Sequence, residues 1–245
     1  MKAHLFSLSI LFSLLLAPVW AIGVEENTMK KNEGLNPRQQ SIIPIAAFTA
    51  DGDMDRLKPA LNQGLEASLT VNEIKEILVQ LYAYTGFPRS LNALSAFMEV
   101  VDQRKAQGIE DVVGKEASPI TPDFDRDAYG AKVRAKLAGR ETDISGTKWQ
   151  LFSPTMDTFL KEHLFADIFV RDVINHQDRE LATIAALANM TGTEGQLRFH
   201  LGAAMNTGLT EAQMNDFLSV LRTTVGQTQA DSAQKILTEV LKSKK

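Results

Sequence analysis

Leu69-Thr70-Val71-Asn72-Glu73-Ile74 returns 140 residues later as Leu209-Thr210-Glu211-Ala212-Gln213-Met214. Each copy opens on Leu-Thr, passes two residues, and closes on a polar side chain followed by an aliphatic one. The same offset relates Gly52 to Gly192, Leu57 to Leu197 and Gly86 to Gly226 without a gap. A shift by one residue extends the match upstream, pairing Arg38 with Arg179 and Ile43 with Ile184. Constant spacing across Gly, Thr and Arg positions is the mark of a duplicated structural unit.

Each unit reads as helices. Residues 41–50 are apolar and Ala-rich, and Asp51-Gly52-Asp53 is a turn. Residues 54–65 place Leu57, Leu61 and Leu65 on one helical face at spacing four. Thr70 followed three residues later by Glu73 has the pattern of a capping box, and Ile74, Ile77, Leu78 and Leu81 form the stripe behind it. Gly86-Phe87-Pro88 breaks that helix, and another begins near Ser90. Thr210 and Gly226 repeat the cap and the break. No run alternates with period two, so the expected class is all-α, with two tandem units forming a pseudo-dimeric bundle. Residues 35–107 make the first unit and residues 108–156 a Gly- and Pro-containing linker with a short helix near 129–137. Residues 157–245 add a docking helix over 157–173, rich in Phe and Leu, and the second unit.

The start of the chain reads as a leader. Met1-Lys2 precedes an apolar run from Leu5 to Leu16, and Val19-Trp20-Ala21 ends on a small residue. A basic start, roughly 7–15 apolar residues and a small-residue exit describe a secretory signal. The run falls short of the ~20 residues that span a bilayer. The expectation is a signal peptide at residues 1–21 and a periplasmic or secreted protein with no membrane attachment after its removal. The leader takes one Lys and no acid with it, moving the formal charge from −4 to −5. Mild acidity without a basic patch argues against a nucleic-acid partner. There is no Cys, so no thiol can act as nucleophile or redox centre. His163 and His176 are too scattered to suggest a metal site, and the Asp51-Asp53-Asp55 run lacks the Gly and Glu of a calcium loop.

Two stretches carry a resemblance to a known family. Residues 73–88, ending on Tyr82-Ala83-Tyr84-Thr85-Gly86-Phe87-Pro88, and Gly195-Gln196-Leu197-Arg198-Phe199-His200-Leu201 resemble the carboxymuconolactone decarboxylase and alkylhydroperoxidase D-like superfamily. That resemblance implies a helical bundle and a homo-oligomer; a trimer is expected of a chain with two fused units. The superfamily's peroxidase branch uses a Glu, a C-x-x-C pair and a His. Counted from Glu73, those positions hold Thr85, Pro88 and Asn92, and in the second unit Gln213 is followed by Val225, Thr228 and Ser232. Thiol peroxidase chemistry is thereby excluded.

The decarboxylase branch implies neither cofactor nor metal, and the second unit resembles it through Arg198 and His200. Loss of a carboxylate leaves an enolate, which calls for an anion partner and a proton donor. On that resemblance His200 is the acid or base, Glu73 a second proton-transfer group and Arg198 the anion partner. Tyr84 and Arg89, placed around the Gly86 break, are candidate ligand contacts, and packing and surface roles explain them equally well. Capping alone also explains Glu73. Ala60 stands opposite His200 and Gln213 opposite Glu73, so the units are uneven. Two functions follow. One is a cofactor-free lyase acting on a small carboxylate or lactone, the other a non-catalytic exported binding or scaffold protein that keeps the fold. An oxidoreductase fed by a partner has no residue support.

Overall fold

The computed structural model describes residues 33–243. The leader expected at residues 1–21 lies outside them. All regular structure among the described residues is helical, and no helix there is long and apolar enough to cross a membrane.

The first unit comprises α1 (Pro37–Asp51), α2 (Met54–Glu66), α3 (Val71–Thr85) and α4 (Phe87–Ala106). A middle segment holds α5 (Arg126–Leu137), the short α6 (Lys148–Phe152) and α7 (Pro154–Thr158), and a π-helix, π1 (Phe159–Ile168). The second unit follows as α8 (His176–Ala188), α9 (Glu194–Asn206), α10 (Glu211–Val220), a π-helical turn π2 (Leu221–Val225) and α11 (Gln227–Ser243).

Each start and stop has a local cause. Asn36 caps α1 by accepting from the Gln39 N–H, and Gly52 ends it in the left-handed region at φ 80°. The capping boxes expected at Thr70/Glu73 and Thr210/Gln213 are both formed. The first two N–H groups of α3 donate to the carbonyls of Val112 and Val113 at 3.0 and 2.9 Å. The linker therefore supplies the acceptors that a helix start otherwise lacks.

α1 and α8 are buried on nearly every side, α1 as a largely apolar helix and α8 with its buried charges paired to neighbours. They make the most extensive helix pairing of the chain. Ala46, Ala47 and Ala50 on one, and Ala182, Ala185 and Ala186 on the other, are all buried at this centre. Arg38 reaches Asp178 near their starts, and Asn189 reaches the Ala47 carbonyl and Asp51 at their ends, so the two run in the same direction. One core joins the units, running from Ile42, Leu61 and Leu78 to Ile184, Leu201 and Phe217.

The middle segment departs from the sequence expectation in two ways. It is more helical than an irregular linker, with α6 and α7 in addition to the expected α5. The docking helix expected over 157–173 is instead α7 followed by π1, and it stops at Ile168. The wider i→i+5 bonding of a π-helix follows from no apolar periodicity. π1 docks on α5, and Leu164, Phe165 and Ile168 join Val133, Leu137 and Ala203 in a second small core. Contact is close: a Cβ at Gly130 would lie 2.0 Å from the Lys161 carbonyl oxygen, so only glycine fits there. Leu151, Phe152, Met156 and Phe159 are left exposed on the outer side of this segment.

The units are also joined by charge. Arg179 on α8 is fully buried and donates to Glu76 at 2.7 Å and Gln80 at 2.8 Å on α3, and to the Arg171 carbonyl. Gln80 returns a bond to the Arg179 carbonyl and another to Thr183. Removing one member of a buried ion pair costs about 3–5 kcal/mol, because the other charge stays buried. Arg171 keeps Glu76 paired at 2.8 Å when Arg179 is lost, so Arg179→Met should destabilise the protein by no more than about 3 kcal/mol in urea unfolding, and Arg179→Met with Glu76→Gln should recover part of the loss. A double variant no more stable than the single would show that the charge pairing is not what matters.

Candidate functional site

Three consecutive buried residues near the start of α8 divide the site from its supports. Successive side chains on an α-helix point about 100° apart. Asp178 accordingly meets Arg38, Arg179 meets α3, and Glu180 meets His200 of α9. The His200 Nδ1 lies 2.8 Å from Glu180 Oε2, and both side chains are almost wholly buried. A carboxylate at that distance accepts a proton held on Nδ1, which leaves Nε2 as the ring's second working nitrogen.

His200 lines a cavity of about 590 Å³. Its walls come from the end of α3 (Tyr84), from α8 (Leu187), from α9 (Gln196, Phe199), from π1 (Leu160, Leu164, Phe165) and from α6 (Trp149, Gln150). Tyr84 and Phe199 meet the His200 ring edge-on, with centroids 5.4 and 5.1 Å away. These contacts fix the imidazole plane while Glu180 fixes its rotation. The Tyr84 hydroxyl and Glu180 Oε1 are buried with no hydrogen bond of ordinary geometry. Burial, and then the nearby Glu180 charge, push the Tyr84 phenol far above its usual range, so it remains a neutral donor at any physiological pH. Buried polar atoms without partners are rare; among the described residues the others are His176 Nδ1 and Arg179 Nε.

The cavity draws His200 and Glu180 from the second unit and Tyr84 from the first. At the matching offsets the other half carries Ala60, Gln39 and Thr224, so it has neither the imidazole nor the carboxylate nor the phenol. Residues 20–99 and 154–239 match the model of the carboxymuconolactone decarboxylase family, and together they cover well over half of the chain.

The chain belongs to that family.

A 4-carboxymuconolactone decarboxylase of Acinetobacter baylyi is 26% identical over 121 residues, which are 49% of this chain and 90% of that protein. Within this family member, Tyr84 falls in the first matched stretch, and Glu180 and His200 fall in the second.

Of the five residues singled out in the sequence, the structure brings His200 and Tyr84 together at the cavity. The other three are engaged elsewhere and do not line it. Glu73 closes the capping box of α3 and accepts from Arg38 at 2.7 Å. Arg198, on an outward position of α9, pairs with Glu239 of α11. Arg89 donates to the Ala50 carbonyl at the end of α1. Sequence reasoning passed over Glu180, although one signal was present. An acid inside Arg179-Glu180-Leu181-Ala182-Thr183-Ile184-Ala185-Ala186, in a helix otherwise apolar, must be buried and therefore partnered.

Two supporting ion pairs tie stability to pH. Burial raises the Glu73 carboxyl, but the Arg38 hydrogen bond, the Thr70 N–H and the Arg38 charge outweigh it and hold it below its ordinary 4.5. Burial likewise raises Asp157, and Arg134 and Gln150 bring it below 3.8. Carboxyls with depressed folded values contribute stability that is full above their unfolded values and is lost as pH falls through the folded ones. Stability should therefore decline as pH drops below 4.5. Glu73→Gln should shallow that decline in acid-titrated unfolding, since Gln213 shows that Gln serves the same cap. An unchanged acid limb in Glu73→Gln would remove the Arg38–Glu73 pair from the explanation.

Proposed function

We propose that the protein is a lyase of the carboxymuconolactone decarboxylase type, releasing carbon dioxide from a small ring compound by proton transfer at His200. One observation carries the reading: a histidine fixed through Nδ1 by a buried carboxylate, with its ring edge in a 590 Å³ cavity beside an unpartnered phenol. The family relative named above is a decarboxylase, and its match to this chain supports the same reaction class.

In this reading the substrate's carboxylate leaves as carbon dioxide and its electron pair passes to a conjugated oxygen. The Tyr84 hydroxyl donates a hydrogen bond toward that oxygen, where charge develops in the transition state. His200 Nε2 then delivers a proton to the carbon and is reprotonated from water. Glu180 acts as a positioning residue through the His200 ring and touches no substrate. The family resemblance suggested a proton-transfer Glu; Glu73 is committed to its cap and to Arg38, and the Glu that serves His200 is Glu180, by positioning the ring. The chemistry asks for no group beyond these side chains. With the leader expected at residues 1–21, the reaction belongs outside the cytoplasm.

A second reading, ligand binding without turnover, draws on the unevenness of the two halves, since one has lost the whole polar set. His200→Ala separates the two. It should abolish carbon dioxide release while helicity and assembly remain as in the parent. Glu180→Gln, which can still meet the ring, should lower kcat by on the order of tenfold to a thousandfold and alter its pH profile, with KM nearly unchanged. Undiminished turnover in His200→Ala would sink the lyase assignment of this site.

A further inference from the structure

The cavity beside His200 contains one guanidinium, and carboxylates already occupy it. Arg134 donates through Nε and Nη2 to Asp143 at 2.7 and 2.6 Å and through Nη1 to Asp157. Its Nη2 also reaches the Ile144 carbonyl at 3.1 Å. Two carboxylates thus engage the one guanidinium of the wall, and the Lys161 charge also acts on Asp157, so the lining offers no free cation. Glu180 adds a third carboxyl group beneath the imidazole, engaged by His200 Nδ1. Arg198 and Arg89, the cations that could have balanced an anion, lie outside the lining. The rest of the wall is ring and aliphatic surface from Trp149, Phe165, Phe199, Leu160 and Leu164.

We propose that this cavity takes a ring-bearing ligand with a single carboxylate and rejects rings that carry two or more. The inference rests on the lyase reading for what becomes of that carboxylate, and on the charge inventory for its number. During decarboxylation the bond from the ring-side carbon to the carboxylate carbon breaks. The electron pair moves to the conjugated oxygen, and the proton from His200 Nε2 ends on the carbon. One carboxylate and one proton become one C–H bond and carbon dioxide. The leaving carboxylate sheds its charge in the transition state, so surroundings without a free cation stabilise the transition state relative to the bound acid. A second carboxylate keeps its charge throughout. It would be stripped of water and meet no free cation, since Arg134 is already engaged by Asp143 and Asp157. The neutral polar groups that line the cavity, the Tyr84 phenol and the Gln196 amide one helical turn before His200, serve uncharged oxygens equally well.

The test is a calorimetric titration of the whole chain with two probes that differ by one carboxylate, 3-phenylpropionate and phenylsuccinate. The first should bind at least about tenfold more tightly than the second. Gln196→Arg places a free cation at an exposed position of the lining, and it should narrow or reverse that ratio while helicity is unchanged. Equal or tighter binding of phenylsuccinate by the parent protein would overturn the proposal. Failure of 3-phenylpropionate to bind at millimolar concentration would overturn it as well. Carbon dioxide release from benzoylacetate is measured in parallel. The expected binding ratio without any release would retain the single-carboxylate preference and overturn the lyase reading. Release accompanied by a preference for the dicarboxylate would do the reverse.

Discussion

A full positive charge buried between two helices constrains everything near it. Arg179 has no exposed surface, and its guanidinium is held by Glu76, Gln80 and a backbone carbonyl. Because Glu76 and Gln80 belong to α3 and Arg179 to α8, this network sets the distance and rotation between the first unit and the second. Tyr84 sits one and two turns beyond Gln80 and Glu76, and Glu180 sits next to Arg179. The bonds that neutralise the charge therefore also bring the phenol to the imidazole. Rigid support of this kind is what holds a reacting group within a fraction of an ångström of its working geometry.

Duplication explains why the site is single. Two similar units packed through α1 and α8 offer two related places for a cavity, each drawing on both. Only one retains the polar set; Gln39, Ala60 and Thr224 stand where Glu180, His200 and Tyr84 would be expected in the other. In that half Gln39 is turned to Asp178, and Ala60 is part of the core. The positions of that half serve packing and support. The middle segment, present once, closes the retained cavity with Trp149, Gln150 and the π-helical stretch, and its Arg134 clasps Asp143 and Asp157 across the wall.

Much of the fold was legible because its signals are local. The capping boxes at Thr70 and Thr210 and the glycine stops at Gly52 and Gly86 each act within a few residues. The Leu57, Leu61, Leu65 face has one period and one solution. The π-helix was not legible, since i→i+5 bonding is selected by packing against α5 and by the close approach at Gly130. The site divided along the same line. His200 and Tyr84 were found through family-like stretches, whereas Glu180 depends on which of three successive charged residues faces α9. Arg198 looked suitable by type and neighbourhood, yet two residues of helical rotation from His200 carry it toward α11 and Glu239.

The most direct measurement is nitrogen-15 NMR of the His200 ring in the whole protein, with and without 3-phenylpropionate. The predicted result is a ring that carries a proton on Nδ1, hydrogen-bonded to Glu180, and whose Nε2 resonance moves when the ligand enters the cavity. A ring whose Nδ1 carries no proton, or an Nε2 resonance indifferent to a ligand that calorimetry shows to be bound, would contradict a site built around His200.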